Sequence, residues 1–121
     1  MPERCKVLVV DDDGTARTTI SDLLAEAGFT VVLAADGEQA IEKATEKRPD
    51  VIILDTRLPG MDGYEVCKRI KEIKGLATKV IMYTAYVDAL NVARAREVGA
   101  DDFIAKTSDF AMLREAIENL K

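Results

Sequence analysis

Short apolar runs of four to six residues alternate along this chain with longer stretches whose apolar positions recur every three or four residues. The clearest run is Val51-Ile52-Ile53-Leu54, four apolar residues of which three are β-branched, stopping abruptly at Asp55. It reads as a strand buried on both faces. Residues 5–10 form a second such run, ending in Asp11-Asp12-Asp13. Thr30–Ala34 is a third; residues 79–83 end at Thr84, and Asp102–Ala105 end at Lys106.

The stretches between them carry helical periodicity. Gly14 and Thr15 open a helix with Ile20, Leu23, Leu24 and Ala27 on one face, and Gly28 stops it. Asp36 is placed as an N-cap with Gln39 as its capping-box partner; Ala40, Ile41 and Ala44 point inward, and the helix ends before Pro49. Val66, Cys67, Ile70 and Ile73 line the next helix, after a turn rich in Gly and Pro. A helix over 88–98 is stopped by Gly99, and Ser108 or Asp109 caps a last one with the stripe Phe110, Leu113, Ile117 and Leu120. Five strands alternating with five helices, the strands too apolar for a wet face, predict an α/β domain with a doubly wound parallel sheet.

Composition narrows the function. A length of 121 residues fits one domain, and there is no internal repeat or linker. The absence of histidine excludes His-ligated metals and Ser/His triads. A net charge of −5 with no basic cluster argues against a nucleic-acid backbone as partner. No apolar run approaches the length of a membrane helix and the N-terminus lacks a signal segment, so the expected location is the cytoplasm. Cys5 and Cys67 are read as buried thiols in a strand and a helix, without metal or disulfide spacing.

In a doubly wound sheet, ligands sit beyond the carboxyl ends of the strands, near the point where strand order reverses. This sequence places Asp11, Asp12, Asp55, Thr84 and Lys106 at those ends. Crowded carboxylates raise one another's pKa unless a cation is present. With oxygen donors alone, the cation that suits them is Mg²⁺, or Mn²⁺ as a substitute. Mg²⁺ leaves coordination positions for phosphate oxygens, and a lysine and a hydroxyl nearby point to phosphoryl transfer onto a carboxylate.

These residues carry a resemblance. Val-Val-Asp-Asp, Leu-Asp-Thr-Arg-Leu-Pro-Gly-Met-Asp-Gly, Tyr-Thr-Ala and Gly-Ala-Asp-Asp-Phe-Ile-Ala-Lys, in that order, resemble the receiver domain of bacterial two-component response regulators over essentially the whole chain. The resemblance implies a flavodoxin-like sheet of order 2-1-3-4-5; the sequence as it stands is expected to be a single receiver domain, 1–121, with no output domain. The resemblance also implies that Asp55 is the phosphoacceptor and that Asp11 and Asp12 hold Mg²⁺ together with Asp55 and the backbone carbonyl of Arg57. Thr84 matches the switch hydroxyl, Lys106 the lysine that pairs with a phosphoryl oxygen, and Phe103 the aromatic that swings inward with the switch. The implied partners are a sensor histidine kinase or histidine phosphotransfer protein and an unknown downstream protein. The latter would be reached through the face of the fourth helix, fifth strand and fifth helix; neither nucleic acid nor membrane is bound directly. The protein would be a signalling receiver, not a turnover enzyme, though it assists its own phosphorylation and dephosphorylation.

One departure stands out: Thr107 follows Lys106 where the family usually has proline in a cis peptide. A cis bond before a non-proline residue costs about 2.5–4 kcal/mol, so trans is expected. Arg57 and Tyr86, two positions beyond Asp55 and Thr84, are expected to overhang the phosphoryl group and hinder attacking water. Asp13 and Asp62 read as helix-start acids, Asp101 and Asp102 as solvated or paired charges, and Arg94 and Arg96 as the wet side of their helix. A rival reading takes Asp11-Asp12-Asp13-Gly14-Thr15 as the D-x-D-x-T motif of haloacid-dehalogenase-like phosphatases, with Asp11 as nucleophile and Asp13 as acid/base. It leaves Asp55 idle, and Lys106 follows Asp101-Asp102, the acid pair of that reading, where that family's lysine should precede it.

Overall fold

The computed structural model describes residues 5–85, 87–106 and 109–120. Five strands, β1 (Lys6–Val10), β2 (Thr30–Ala34), β3 (Val51–Leu54), β4 (Lys79–Thr84) and β5 (Asp102–Ala105), alternate with five helices. The helices are α1 (Gly14–Glu26), α2 (Gly37–Lys47), α3 (Gly63–Lys71), α4 (Ala89–Glu97) and α5 (Phe110–Leu120). All pairings are parallel, in the order β2-β1-β3-β4-β5.

Side-chain alternation along the strands divides the core in two. Leu8, Val10, Ile52, Leu54, Val80 and Met82 pack against α2, α3 and α4, through residues such as Ala40, Ala44, Val66, Ile70 and Ala95. Val7, Val9, Val51, Ile53, Ile81 and Ile104 face α1 and α5, through Leu24, Leu113 and Ile117. The central strands β1 and β3 are almost wholly buried, as their composition requires. The edge strand β2 departs from the expectation of no wet face: Thr30 and Leu33 are exposed, because an edge strand lacks the neighbour that covers its outer side.

The predicted boundaries follow from local chemistry. Asp13, Asp36, Asp62 and Asp88 are the N-caps of α1 to α4, each accepting backbone N–H groups at its helix start. Gln39 does reach back across its helix start, but to the N–H of Ala35 and not of Asp36. Asp109 accepts the N–H of Met112 at the start of α5; Ser108, the other cap candidate, lies outside the described residues. α2 ends before Pro49 as expected, and Arg48 closes it in the left-handed region at φ 47°, its N–H still donating to the Ala44 carbonyl. Cys67 is buried, whereas Cys5 precedes β1 and is half-buried, a correction to the sequence reading. No helix among the described residues is long and apolar enough to cross a membrane.

Candidate functional site

From β1 the chain moves outward to β2 on one side; from β3 it moves to β4 and β5 on the other. The strand order therefore reverses between β1 and β3, and a crevice opens at their carboxyl ends. Val10 pairs with Leu54, so the residues that follow, Asp11 and Asp55, emerge side by side. The Asp55 N–H donates to the Val10 carbonyl at 3.1 Å and the Asp11 N–H to the Ala34 carbonyl at 3.2 Å, which extends the ladder under both acids. The Arg17 guanidinium donates to the Asp11 carbonyl at 2.6 Å. Asp11 and Asp55 are only 5% and 8% exposed, while Asp12 is open to solvent.

Asp11, Asp12 and Asp55 each offer a carboxylate oxygen within 4.8 Å of the others. Lys106 reaches them from the end of β5: its N–H donates to the Thr84 carbonyl at 2.8 Å, and its Nζ lies 3.0 Å from Asp11 Oδ2 and 3.1 Å from Asp55 Oδ2. The other Asp55 oxygen accepts the Arg57 N–H at 3.2 Å, and the other Asp11 oxygen the Asp13 N–H at 2.9 Å. Burial raises the Asp55 pKa above its ordinary value; the Arg57 N–H and Lys106 offset this only in part, and Asp11 adds to it. Burial also works against the charge on Lys106, but the two carboxylates outweigh it and hold its pKa above the usual lysine value. An acid cluster of oxygen donors alone, partly neutralised by one ammonium group, fits a hard divalent cation.

The β3–α3 connection is fixed by backbone contact. Gly63 packs so closely that a Cβ there would overlap the carbonyl oxygen of Asp55, and its N–H donates to the Thr56 carbonyl at 2.9 Å. Thr84 ends β4 fully buried, its hydroxyl 2.8 Å from that of Thr56. Thr56 is a residue the sequence reading passed over. The only sequence signal is period two, which continues from Ile52 and Leu54 to Thr56; that the residue meets β4 follows from the β3–β4 pairing. Phe103 packs half-buried against the same core as Met82, its register partner, and lines a groove of about 410 Å³ with Val87, Val92 and Ala95.

The remaining candidates are largely structural. Asp13 caps α1, so the acid/base of the phosphatase reading is occupied with two backbone N–H groups. Asp62 caps α3 and pairs with Arg94 at 2.7 Å; burial opposes its ionisation, but the Glu65 N–H and Arg94 outweigh it and lower its pKa. Arg94 is therefore more than the wet side of α4, and it also lies over the Tyr64 ring at 4.4 Å. Asp101 pairs with Lys71 at 2.6 Å and accepts the Val80 N–H, while Asp102 accepts the Phe103 N–H. Arg57 is exposed at the crevice. Tyr86 and the Lys106–Thr107 bond lie outside the described residues.

Comparison with known proteins agrees with this geometry. Residues 7–118 match the response regulator receiver domain family. The chain is 36% identical over 113 residues to sporulation initiation phosphotransferase F of Bacillus subtilis, covering 93% of this chain and 90% of that protein. It is 41% identical over 101 residues to the B. subtilis alkaline phosphatase synthesis transcriptional regulatory protein PhoP, covering 84% of this chain but 42% of PhoP. It thus spans less than half the length of that relative. The crystal structure of Vibrio cholerae chemotaxis protein CheY4 superposes with a TM-score of 0.92 at 31% identity, covering 98% of this chain and all of that one. The beryllofluoride-activated receiver domain of Klebsiella pneumoniae RstA gives 0.87 at 29% identity, covering 95% and 97% of the two chains. The crevice at β1 and β3, the fold and the sequence agree: this chain belongs to the receiver domains of two-component response regulators.

Proposed function

We propose that Asp55 is the phosphoacceptor. Its Oδ attacks the phosphorus of a phosphohistidine on a sensor kinase or phosphotransfer protein; the O–P bond forms as the N–P bond breaks, and the imidazole nitrogen keeps the electron pair. The observation that carries this reading is the meeting of three carboxylates and one ammonium group at the strand-order switch. Asp11, Asp12, Asp55 and the Arg57 carbonyl would hold a divalent cation, for which Mg²⁺ suits the oxygen donors; when bound, it supplies positive charge against the transferred phosphoryl group. Lys106 pairs with a phosphoryl oxygen and so leaves its present double contact with Asp11 and Asp55. Thr84 turns toward the phosphoryl group, and Phe103 moves into the space beside it.

The readout proposed is the surface of α4, β5 and α5. Leu90 and Met112 there are 79% and 52% exposed, apolar side chains suited to a protein partner whose affinity follows the state of Asp55. The role is that of a cytoplasmic signalling receiver, phosphorylated once per cycle, and not that of a turnover enzyme. Intact-mass spectrometry after incubation with acetyl phosphate and Mg²⁺ tests it. One phosphoryl group should appear on the parent and none on Asp55→Asn; equal labelling of both would end the proposal.

A further inference from the structure

Thr56 follows the acceptor directly and is buried, 6% exposed, with its backbone carbonyl tied to the Gly63 N–H. Its hydroxyl lies 2.8 Å from the hydroxyl of Thr84. Asp55, one residue away, has one oxygen on the Arg57 N–H and the other on Lys106. The hydroxyl expected to answer phosphorylation thus rests against a neighbour on the α3–α4 side of β4. A hydrogen bond between two buried hydroxyls is lost at full cost when one partner leaves, because water does not replace it.

From this geometry we infer that Thr56 is a brake on activation: its hydroxyl holds Thr84 in the resting position, and the transferred phosphoryl group must draw Thr84 away from it. The inference rests on the reading of Asp55 and Thr84 given above. It assigns Thr56 as a positioning residue that acts through Thr84 and does not touch the phosphoryl group. Removing the Thr56 hydroxyl destabilises the resting arrangement and spares the active one a stranded buried hydroxyl, so the equilibrium moves toward the active form. A relay in which Thr56 donates to Thr84 while Thr84 donates to the phosphoryl group predicts the opposite sign.

The test is the affinity for beryllofluoride with Mg²⁺, followed by fluorine NMR on the parent, Thr56→Val, Thr56→Ala and Thr56→Ser. Thr56→Val should bind about two- to tenfold more tightly than the parent, the size of one net hydrogen bond. Thr56→Ala should move the same way, which keeps the test open if the valine variant folds poorly, and Thr56→Ser should stay near the parent. In a Thr84→Ala background the gain should vanish, which a merely structural effect of residue 56 would not do. Affinity unchanged or weakened by both hydroxyl-free variants, or an equal gain without the Thr84 hydroxyl, overturns the brake. Asp55→Asn separates the two levels: if the parent itself fails to bind beryllofluoride through Asp55, the receiver reading falls and the brake with it.

Discussion

Gly63 and Asp55 touch through their backbones: no side chain fits on Gly63 without overlapping the Asp55 carbonyl oxygen or the Thr56 Cα. The start of α3 is thereby pressed against the residue that the site is built on. Gly63→Ala must push the two segments apart. The expected result is a loss of about 1–3 kcal/mol in urea denaturation, the usual size of overpacking in a dense region. The folded fraction should also take up phosphoryl groups from acetyl phosphate more slowly, because Asp55 moves with its backbone.

Asp55 carries a second consequence. Its folded pKa lies above the ordinary 3.8, chiefly through burial, so the folded state favours the protonated acid. As pH rises through that ordinary value the unfolded chain ionises first and stability falls; at neutral pH the penalty is fully present. Asp55→Asn keeps the shape without the charge. Without divalent cations its melting temperature should exceed the parent's at neutral pH and meet it in acid. Millimolar Mg²⁺ should raise the parent's melting temperature by mass action and raise that of Asp55→Asn or Asp11→Asn less. Calorimetric scans with and without Mg²⁺ read both effects.

Cys67 gives a prediction away from the site. Burial pushes its pKa from 9.0 to about 11, with Lys71 lowering it and Asp101 raising it to smaller extents. The unfolded thiol therefore ionises before the folded one as pH climbs from 9 toward 11, and the protein loses stability in that window. Cys67→Ala should be less stable overall, through the cavity it leaves, but should show a shallower loss across the same window. At neutral pH a thiol reagent should modify half-buried Cys5 well before Cys67.

The sheet was legible in the sequence because its strands are short, largely apolar runs, and the site was legible because four of the five, β1, β3, β4 and β5, lead into Asp11, Asp55, Thr84 and Lys106, polar residues that need a reason to sit there. Val51–Leu54 and Asp55 show both at once. The contacts that tie the elements together were not legible. Arg94 looked like an exposed helical arginine, yet it reaches Asp62 across 32 positions and covers Tyr64. Thr56 looked like part of a turn, and its role depends on β4 lying beside β3, a long-range pairing that no local pattern announces. Hydrophobic period reports which face is buried; it does not report which two polar groups meet there.

Lys106 pairs with two carboxylates at once, and this makes its removal informative in the absence of any phosphoryl donor. Lys106→Met keeps the length of the side chain and removes the charge. Asp11 and Asp55 then face each other without an ammonium group, and the Asp55 pKa should rise further. The loss in stability at neutral pH should be about 1.5–3 kcal/mol, the range for hydrogen bonds to a charged group. Protonating the acids should shrink the deficit, and so should Mg²⁺, since either relieves the same repulsion. Alkali separates this from a packing defect. The folded pKa of Lys106 lies above the ordinary 10.5, so its contribution is complete below that value and is lost as pH rises through the folded one. The parent should therefore lose stability there and the variant should lose less. Equal deficits in acid, in Mg²⁺ and at neutral pH would mean that Lys106 supports the fold through its stem and not through its charge.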